Sequence, residues 1–244
     1  MKTVLITGGA SGLGKCLVLE FAKNGYNVIF TYCNSDKNAV LDLLKDYDVF
    51  TMALYCDLSS EESIKDMLSK VKEYGFVDVL VNNAALEIDK DFNLKEKSDF
   101  EKTLSVNLIA PFLISREIGN MMFERKSGVI INISSNNAID MYDDVTVEYD
   151  ASKKALLSLT NNFAKHFSPY VRVNAIAPGF IKTEKIINLD KSLNGEFLKD
   201  AKEKTLLKEI PEEVDIANVV LYLASDKSKF INNEVIRVDG GVLW

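Results

Sequence analysis

Seven short apolar runs, rich in β-branched residues, recur along the chain and constrain its fold more than any other feature. They are continuous rather than alternating, as strands are when both faces of a sheet are buried. The runs cover 3–6, 27–30, 49–56, 77–81, 128–134, 171–177 and 233–238, and segments with helical spacing cover about 12–24, 36–45, 60–74, 98–125, 149–166 and 211–224. This alternation predicts right-handed crossovers and an α/β fold: a doubly wound parallel sheet of about seven strands with helices on both faces.

The chain shows no composition break, linker or repeat, and 244 residues with 47% hydrophobic content are enough for one sizeable core. We therefore expect a single domain over residues 1–244. The highly charged segment 182–210 interrupts the strand–helix rhythm. It suits either one more solvated helix or a mobile lid over a site. We favour the lid, because the segment follows the Pro178–Gly179 turn at the carboxyl end of a strand.

Composition argues against several functions. A formal net charge of −7 disfavours a nucleic-acid partner, because phosphate binding needs a positive field. Cys16, Cys33 and Cys56 have neither the number nor the spacing of a disulfide frame or metal site, so we expect reduced thiols and no metal. The single histidine, His166, falls near an expected helix end and leaves little for a Ser-His-Asp hydrolase. The apolar runs are too short for a signal peptide or a membrane span, so we expect a cytoplasmic protein with no membrane partner.

A glycine-rich turn joins the first strand to the first helix. The stretch "TVLITGGASGLG" places Gly8, Gly12 and Gly14 at this junction. Glycines let a backbone approach a pyrophosphate, and the helix N-terminus that follows supplies N–H groups and a positive dipole. Glycines also suit a simple tight connection, but the position at the first strand–helix junction of an α/β chain favours a dinucleotide site.

Tyr149 and Lys153 are one helical turn apart in "YDASK". A free phenol titrates near ~10, too high for ready proton exchange at neutral pH. An ammonium on the same helix face favours the phenolate and so lowers the phenol's pKa. The spacing by itself also fits an ordinary surface pair on an amphipathic helix.

Two further positions have chemical interest. Ser135 ends a buried strand, where its hydroxyl would face a ligand at the carboxyl edge of the sheet. Ser134 is its rival, and the alternation of side chains along a strand lets only one of them face the site. Asn107 lies in a helical segment four residues before Pro111, which has no N–H to donate to the Asn107 carbonyl. That carbonyl can hold a water, or the proline can simply mark a helix kink.

A series of motifs occurs in a fixed order along essentially the whole chain: "TGGASGLG", "CDLS", "VNNAA", "SVNLIAP", "INISS", "YDASK", "NAIAPGFIKT" and "VDGG". Together they resemble the short-chain dehydrogenase/reductase family in its compact form, in particular its 3-oxoacyl-[acyl-carrier-protein] reductases and related sugar and steroid dehydrogenases. The resemblance implies a Rossmann-type fold and an NAD(P)(H)-dependent oxidoreductase that transfers hydride between the nicotinamide and a ketone or secondary alcohol.

The resemblance also implies roles for the catalytic candidates. Tyr149 would be the acid/base, and Lys153 would lower its pKa and contact the ribose hydroxyls. Ser135, in preference to Ser134, would hydrogen-bond the substrate oxygen. Asn107 would hold a water that links Lys153 to solvent.

Besides Tyr149 and Lys153, the resemblance implies cofactor-binding residues that follow the first four strands and the sixth strand. They are Gly8, Ser11, Gly12, Leu13, Gly14, Tyr32, Asn34, Ser35, Asp57, Leu58, Asn83, Ala84, Ala85, Pro178, Gly179, Ile181 and Thr183. Tyr32 stands at the place after the second strand where NAD-preferring members usually carry a carboxylate, and Lys37 is nearby. We therefore favour NADP(H) over NAD(H), although Ser11 stands where NADP-users often have arginine.

The sequence departs from the family pattern around the substrate. Ala85 and Ala138 replace usual glycines, and the course of the loop over 136–148 is open. Acidic residues in and just after this loop are Asp140, Asp143, Asp144, Glu148 and Asp150. We favour a solvated acidic loop; if these residues line the entrance instead, they disfavour an anionic substrate or acidic carrier protein. Five residues with large apolar or aromatic side chains are candidates to line an apolar pocket: Met141, Tyr142, Ile186, Ile187 and Leu189.

The partner is thus expected to be a small-molecule carbonyl compound or alcohol. Sugar, polyol and steroid dehydrogenases of the same family remain alternatives to a 3-oxoacyl reductase. A catalytically silent dinucleotide-binding sensor is an alternative of another class, which predicts loss of Tyr149, Lys153 or Ser135, and none is lost. Family likeness suggests a homotetramer or homodimer that pairs helices 98–125 and 149–166, although both helices could equally pack within one chain.

Overall fold

Seven parallel strands form one sheet in a computed structural model that describes residues 1–140 and 143–242. The order across the sheet is β3-β2-β1-β4-β5-β6-β7, with every neighbouring pair parallel. The strands are β1 Thr3–Ile6, β2 Asn27–Tyr32, β3 Thr51–Tyr55, β4 Val79–Asn82, β5 Gly128–Ile133, β6 Val171–Pro178 and β7 Val235–Val238. The predicted α/β fold with a doubly wound parallel sheet is confirmed.

Helices connect the strands. They are α1 Gly12–Lys23, α2 Lys37–Leu44, α3 Glu61–Tyr74, α4 Lys97–Leu104, α5 Ala110–Glu124, α6 Val147–His166, α7 Glu184–Ser192, α8 Glu196–Glu203 and α9 Glu213–Ala224. The charged segment 182–210 thus contains two helices, α7 and α8, instead of one. Its role as a lid stays a prediction.

The prediction of one helix over 98–125 needs a correction. A π-helical turn, Ser105–Ile109, separates α4 from α5, and Pro111 lies in the first turn of α5. Proline cannot donate the hydrogen bond that an α-helix requires from that position, and a widened turn accommodates the missing donor. Asn107 lies inside this turn and is buried.

Both faces of the sheet are covered, which explains the continuous apolar runs. In β1, Val4 and Ile6 belong to the core on the side of α1 and α9, whereas Leu5 belongs to the core on the side of α3, α5 and α6. Successive side chains of a strand point to opposite faces, so a strand between two helical layers needs an apolar residue at every position.

The order of the strands reverses at β1, which lies between β2 and β4. The connections from β1 and from β4 therefore leave in opposite directions, and a crevice opens between them at the carboxyl edge of the sheet. Ligands of open α/β sheets bind at such a point.

Some findings bear on metal, redox and membrane chemistry. Within residues 1–140 and 143–242, no group of three His, Cys, Asp or Glu residues is arranged to hold a metal ion. Cys16, Cys33 and Cys56 are free thiols. His166 lies in the last turn of α6, at a helix end as predicted, against the ring of Phe167. No helix in the described part of the chain is long and apolar enough to cross a membrane.

Packing of α5 against the end of α6 gives a first test. A Cβ added to Gly119 would lie 2.4 Å from the ring of Phe167, which is buried. In an open helix, glycine to alanine stabilises the protein. Here we expect Gly119→Ala to lower the free energy of unfolding by about 1–3 kcal/mol, because the core is overpacked. Urea unfolding measures it. Asn120→Ala, an exposed change on the same helix, is the control, and equal stability of the two variants would contradict the prediction.

Candidate active site

The glycine turn after β1 is built for close approach of backbone to backbone. Gly8 has φ +67, and a Cβ there would lie 2.9 Å from the Cβ of Ala84 at the end of β4. A Cβ at Gly14 would lie 2.0 Å from the carbonyl oxygen of Gly8. Gly12 has φ +49, a left-handed conformation that favours glycine. The turn is therefore pressed between the end of β4 and the start of α1.

Thr7 and Asn83 hold this turn in place. The Thr7 hydroxyl oxygen accepts the N–H of Asn83 at 3.0 Å and of Ala84 at 3.1 Å. The Asn83 side chain donates to the Thr7 carbonyl at 2.9 Å. The amide of Asn83 is thus engaged with the protein and positions the turn. Thr7 was not a predicted site residue, although a hydroxyl directly before the glycines could have indicated it.

The N-terminus of α1 faces the crevice. Ser11, the N-cap residue, is extended, and its hydroxyl makes no capping hydrogen bond among the described residues. Leu13 is buried in the core, so it can serve a ligand only through its backbone. A helix of 12 residues that begins at a glycine turn, without a side-chain cap, suits the pyrophosphate of a dinucleotide.

A cavity of about 390 Å³ lies beside the turn, at the carboxyl ends of β2, β3 and β4. Its lining contains most of the residues predicted for the adenine and ribose end: Gly8, Tyr32, Asn34, Asp57, Leu58, Ala84 and Ala85. Ser35 lies outside that lining, whereas Cys33 and Lys102, which were not predicted, belong to it. A mostly apolar cavity with a few polar side chains, such as those of Asn34 and Asp57, suits the adenosine half of a dinucleotide.

Asp57 and Lys102 are the charged residues in the lining of this cavity, and Lys37 lies beside its Tyr32. The Asp57 carboxylate accepts the side-chain and backbone hydrogen bonds of Ser59, at 2.7 and 2.9 Å, and these lower the pKa of Asp57. The Lys37 ammonium lies 5.0 Å from the centre of the Tyr32 ring. A cation from the start of α2 therefore lies over the residue that ends β2.

Tyr149 and Lys153 lie on one face of α6, beside the end of β5. The Lys153 ammonium is buried and donates to the Ile133 carbonyl at 2.7 Å, and it lies 5.5 Å from the centre of the Tyr149 ring. Ser134 is also buried, and its hydroxyl donates to the Lys153 carbonyl. Ser135 lines a cavity together with Tyr149. The structure thus places Ser135 and not Ser134 beside the phenol.

Burial and neighbouring charges shift the pKa of Tyr149. Burial of the hydroxyl is the largest influence and raises the pKa; the charges of Glu87 and Asp150 also raise it, and the neighbouring Ser135 hydroxyl lowers it. Burial also lowers the pKa of Lys153, to about 8. The lowering of the Tyr149 pKa by Lys153 stays a prediction. With the protein's own groups alone, the phenol is kept protonated at neutral pH, the form that can donate a proton.

The Asn107 side chain joins the loop after β4 to α6. Its oxygen accepts the N–H of Leu86 at 2.7 Å, and its nitrogen donates to the Leu86 carbonyl at 2.8 Å and to the Ser152 hydroxyl at 3.0 Å. Asn107 thus connects the loop after β4 to α6 by hydrogen bonds. The water-holding role of its carbonyl stays a prediction.

The cavity at Tyr149 has a volume of about 210 Å³. Gly179, Ile181 and Thr183 line it as predicted, whereas Pro178 is buried at the end of β6. The Thr183 hydroxyl caps α7. Other lining residues that were not predicted site residues come from the segments after β4, β5 and β6: Glu87, Asn136, Asn137, Thr146, Phe180 and Lys185.

Three of the five acidic residues in and after the loop are engaged with partners inside the protein instead of being free in solvent. Glu148 is fully buried and pairs with Lys95, with the ammonium 2.7 Å from a carboxylate oxygen. Asp140 pairs with Arg237. The Asp150 carboxylate accepts hydrogen bonds from Asn137 and others. Glu148 and Asp140 thus each have a cationic partner distant in sequence, and Asp150 has hydrogen-bond donors from nearby residues.

Asp143 remains at the cavity and Asp144 is exposed. Of the apolar residues expected there, Ile186 lines the cavity, whereas Ile187 and Leu189 lie outside it, each more than a third exposed. Met141 and Tyr142 lie outside the described residues.

Comparison with known proteins decides the family. A family model described as enoyl-(acyl carrier protein) reductase matches residues 8–243. The 3-oxoacyl-[acyl-carrier-protein] reductase FabG of Staphylococcus epidermidis is 34% identical over 245 residues, 99% of this chain and 98% of the relative.

The chain belongs to the short-chain dehydrogenase/reductase family.

Solved structures agree with this membership. A structure titled ElxO with NADP bound has a TM-score of 0.90 at 31% identity, over 98% of this chain and 97% of the other. Levodione reductase has a TM-score of 0.88 at 28% identity, over 98% and 96%. The chain is therefore a Rossmann-fold oxidoreductase of this family, as its motifs predicted.

The low pKa of Lys153 predicts a pH-dependent stability. The folded-state pKa is about 8 and the ordinary value 10.5, so between these values the unfolded chain binds more protons and the free energy of unfolding rises with pH. This contribution is complete above about pH 10.5 and is lost as pH falls through 8. We expect Lys153→Met to remove it, so that the variant gains on the wild type at pH 7 and loses that gain toward pH 10.

Urea unfolding at several pH values from 7 to 10 measures this difference. Lys154→Met, on the exposed side of the same helix, is the control and should follow the wild type. If Lys153→Met has the same pH dependence as the control, Lys153 is not a buried group with a lowered pKa.

Proposed function

We propose that this protein is an NADP(H)-dependent oxidoreductase that transfers hydride between the nicotinamide and a ketone or secondary alcohol. One observation carries the proposal: a phenol held protonated, Tyr149, and a second hydroxyl, Ser135, line one cavity at the carboxyl edge of the sheet. The glycine turn, which supplies the conformation and N–H groups for a pyrophosphate, lies along the same edge.

The residues of this chain supply the proton chemistry. A bound nicotinamide supplies or accepts the hydride. Tyr149 donates its proton to the carbonyl oxygen as negative charge develops there, and Ser135 donates a hydrogen bond to the same oxygen. Lys153, charged at neutral pH, is the nearby cation that stabilises the phenolate left behind. For alcohol oxidation the same groups act in reverse, with the phenolate as base.

The proposed cofactor preference is NADP(H) over NAD(H). Tyr32 ends β2 and Asn34 follows it, and the Lys37 ammonium lies 5.0 Å from the centre of the Tyr32 ring, so a 2′-phosphate meets a cation there. The carboxylate of Asp36 in the same stretch is engaged as the N-cap of α2, where it accepts the N–H of Asn38. ElxO, similar over nearly the whole chain, is titled as bound to NADP.

The first candidate substrates are 3-oxoacyl thioesters, in line with the S. epidermidis relative. The charge argument against an acidic carrier is weakened, because Asp140, Glu148 and Asp150 are engaged with partners inside the protein. Sugar, polyol and steroid ketones are the alternatives. A panel of these ketones, each assayed with NADPH and NADH by absorbance, separates them, and activity with none would favour a dinucleotide-binding sensor.

We also propose a homotetramer or homodimer. Apolar side chains on the outer side of the π-turn and α5 are exposed, among them Ile109 and Phe112. Light scattering coupled to gel filtration measures the assembly. The cytoplasmic location expected from the sequence stays a prediction.

Tyr149→Phe tests the acid directly. Removing a general acid lowers rates by roughly 10²- to 10⁴-fold, so we expect a loss of kcat of this order on any accepted ketone with dinucleotide binding retained. Steady-state kinetics and dinucleotide titration by fluorescence measure the two quantities. Tyr47→Phe, at a partly exposed tyrosine outside both cavities, is the control. Unchanged turnover in Tyr149→Phe would rule out this residue as the acid.

Lys37→Gln tests the cofactor preference. A half-exposed cation that meets the 2′-phosphate contributes on the order of 1 kcal/mol, so we expect KM for NADPH to rise roughly two- to five-fold while KM for NADH is unchanged. The matched control is Lys70→Gln, on the exposed face of α3. Equal effects on both dinucleotides would show that Lys37 does not contact that phosphate.

A further inference from the structure

An ion pair crosses the wall of the substrate cavity, and none of the roles above uses it. Glu87 lies in the loop after β4, and Lys185 lies in the first turn of α7. The Lys185 ammonium is 2.5 Å from a Glu87 carboxylate oxygen and 3.8 Å from one of Asp89. Both Glu87 and Lys185 line the cavity that contains Tyr149 and Ser135.

We propose that Glu87 and Lys185 are a positioning pair, which holds α7 against the loop after β4 and balances the negative charge of Glu87 beside the catalytic phenol. This inference rests on the proposed role of Tyr149 as the acid. One wall of the cavity would then depend, for its position and its charge, on the contact between Glu87 and Lys185, which are 98 residues apart in the chain.

The packing of α7 supports the positioning role. None of the residues Glu184–Ser192 is buried, so this helix has no apolar anchor of its own in the core. Besides the partly buried Ile186, its attachment to the site comes from the Thr183 cap at its start and from the contact of Lys185 with Glu87. The two side chains are 60% and 35% exposed, and ion pairs of such exposure contribute little to global stability. Breaking the pair should therefore displace the wall without unfolding the protein.

The charges around the phenol support the second role. Five charged side chains line its cavity or act on it: Glu87, Asp143, Asp150, Lys153 and Lys185. The negative charge of Glu87 raises the pKa of Tyr149 and of Lys153. Burial lowers the pKa of Lys185, but the hydrogen bond and charge of Glu87 outweigh it, so Lys185 stays charged.

The two single variants should act in opposite directions on the pH profile. Ketone reduction needs the protonated phenol, so its rate falls as pH rises through the pKa of Tyr149. Glu87→Gln removes a charge that favours the protonated form and should move this limit to lower pH. Lys185→Gln leaves Glu87 unbalanced and should move it to higher pH. Asp143, Asp150 and Lys153 are unchanged in both variants.

The experiment measures three variants on one accepted ketone with NADPH. Two are the single variants Glu87→Gln and Lys185→Gln, and the third is a double variant that exchanges the charges, Glu87→Lys together with Lys185→Glu. We expect each single variant to raise KM for the ketone roughly two- to five-fold, the range that a half-exposed ion pair supplies, and the swap to recover most of it. Thermal midpoints should stay at the wild-type value. The matched control is the long-range pair of Lys2 and Asp226 at the opposite edge of the sheet, neutralised by Lys2→Gln and Asp226→Asn.

The outcomes separate this inference from the proposed function. A Tyr149→Phe variant that keeps its turnover refutes the acid role itself. An inactive Tyr149→Phe together with pH limits that coincide in the two single variants leaves the acid role intact and refutes the electrostatic role of the pair. A swap that fails to recover KM, or control variants with the same KM rise, refutes the positioning role.

Discussion

The parallel register of the central strands is the constraint on which the whole site depends. It continues past the strand ends, where Thr7 donates its N–H to the Val81 carbonyl and Ser134 donates its N–H to the Ile176 carbonyl. Because side chains alternate along a strand, a shift of one residue in β5 would exchange Ser134 and Ser135 between the core and the cavity. Register, set by the two apolar layers, thereby selects the hydroxyl that stands beside Tyr149.

A buried polar network ties the helix of the catalytic pair to that register. Asn82 donates to the Asn132 side chain at 2.7 Å and to the Ser115 hydroxyl at 2.9 Å, and Asn132 donates to the Thr160 hydroxyl at 2.8 Å. These groups join β4 and β5 to α5 and α6. Buried polar groups lose much free energy without their partners, so the network permits one placement of α6 against the sheet. The positions of Tyr149 and Lys153 follow from it.

Sequence patterns predicted the strands, most helices and the glycine turn, since these depend on local spacing and on burial of both faces. They did not predict the π-turn at Ser105–Ile109, because the widened turn is a response to Pro111 within a packed helix. They also could not show that Glu148 is buried against Lys95, since an acidic residue in a charged stretch resembles a solvated one until its distant partner is placed. The contacts of Thr7, Asn83 and Glu87 exist only in the folded chain, where the carboxyl ends of different strands lie side by side.

The order of short motifs along the chain by itself determined the family, the strand–helix alternation and the candidates for acid, cation and phosphate turn, because each is a matter of residue type at a local spacing. The tertiary structure alone decided the protonation of those candidates. Tyr149 and Lys153 are only four residues apart, and desolvation by the surrounding protein is the largest influence on both: it raises the pKa of Tyr149 and lowers that of Lys153. Desolvation depends on every atom that excludes water from a group, and most of those atoms belong to residues far away in the chain.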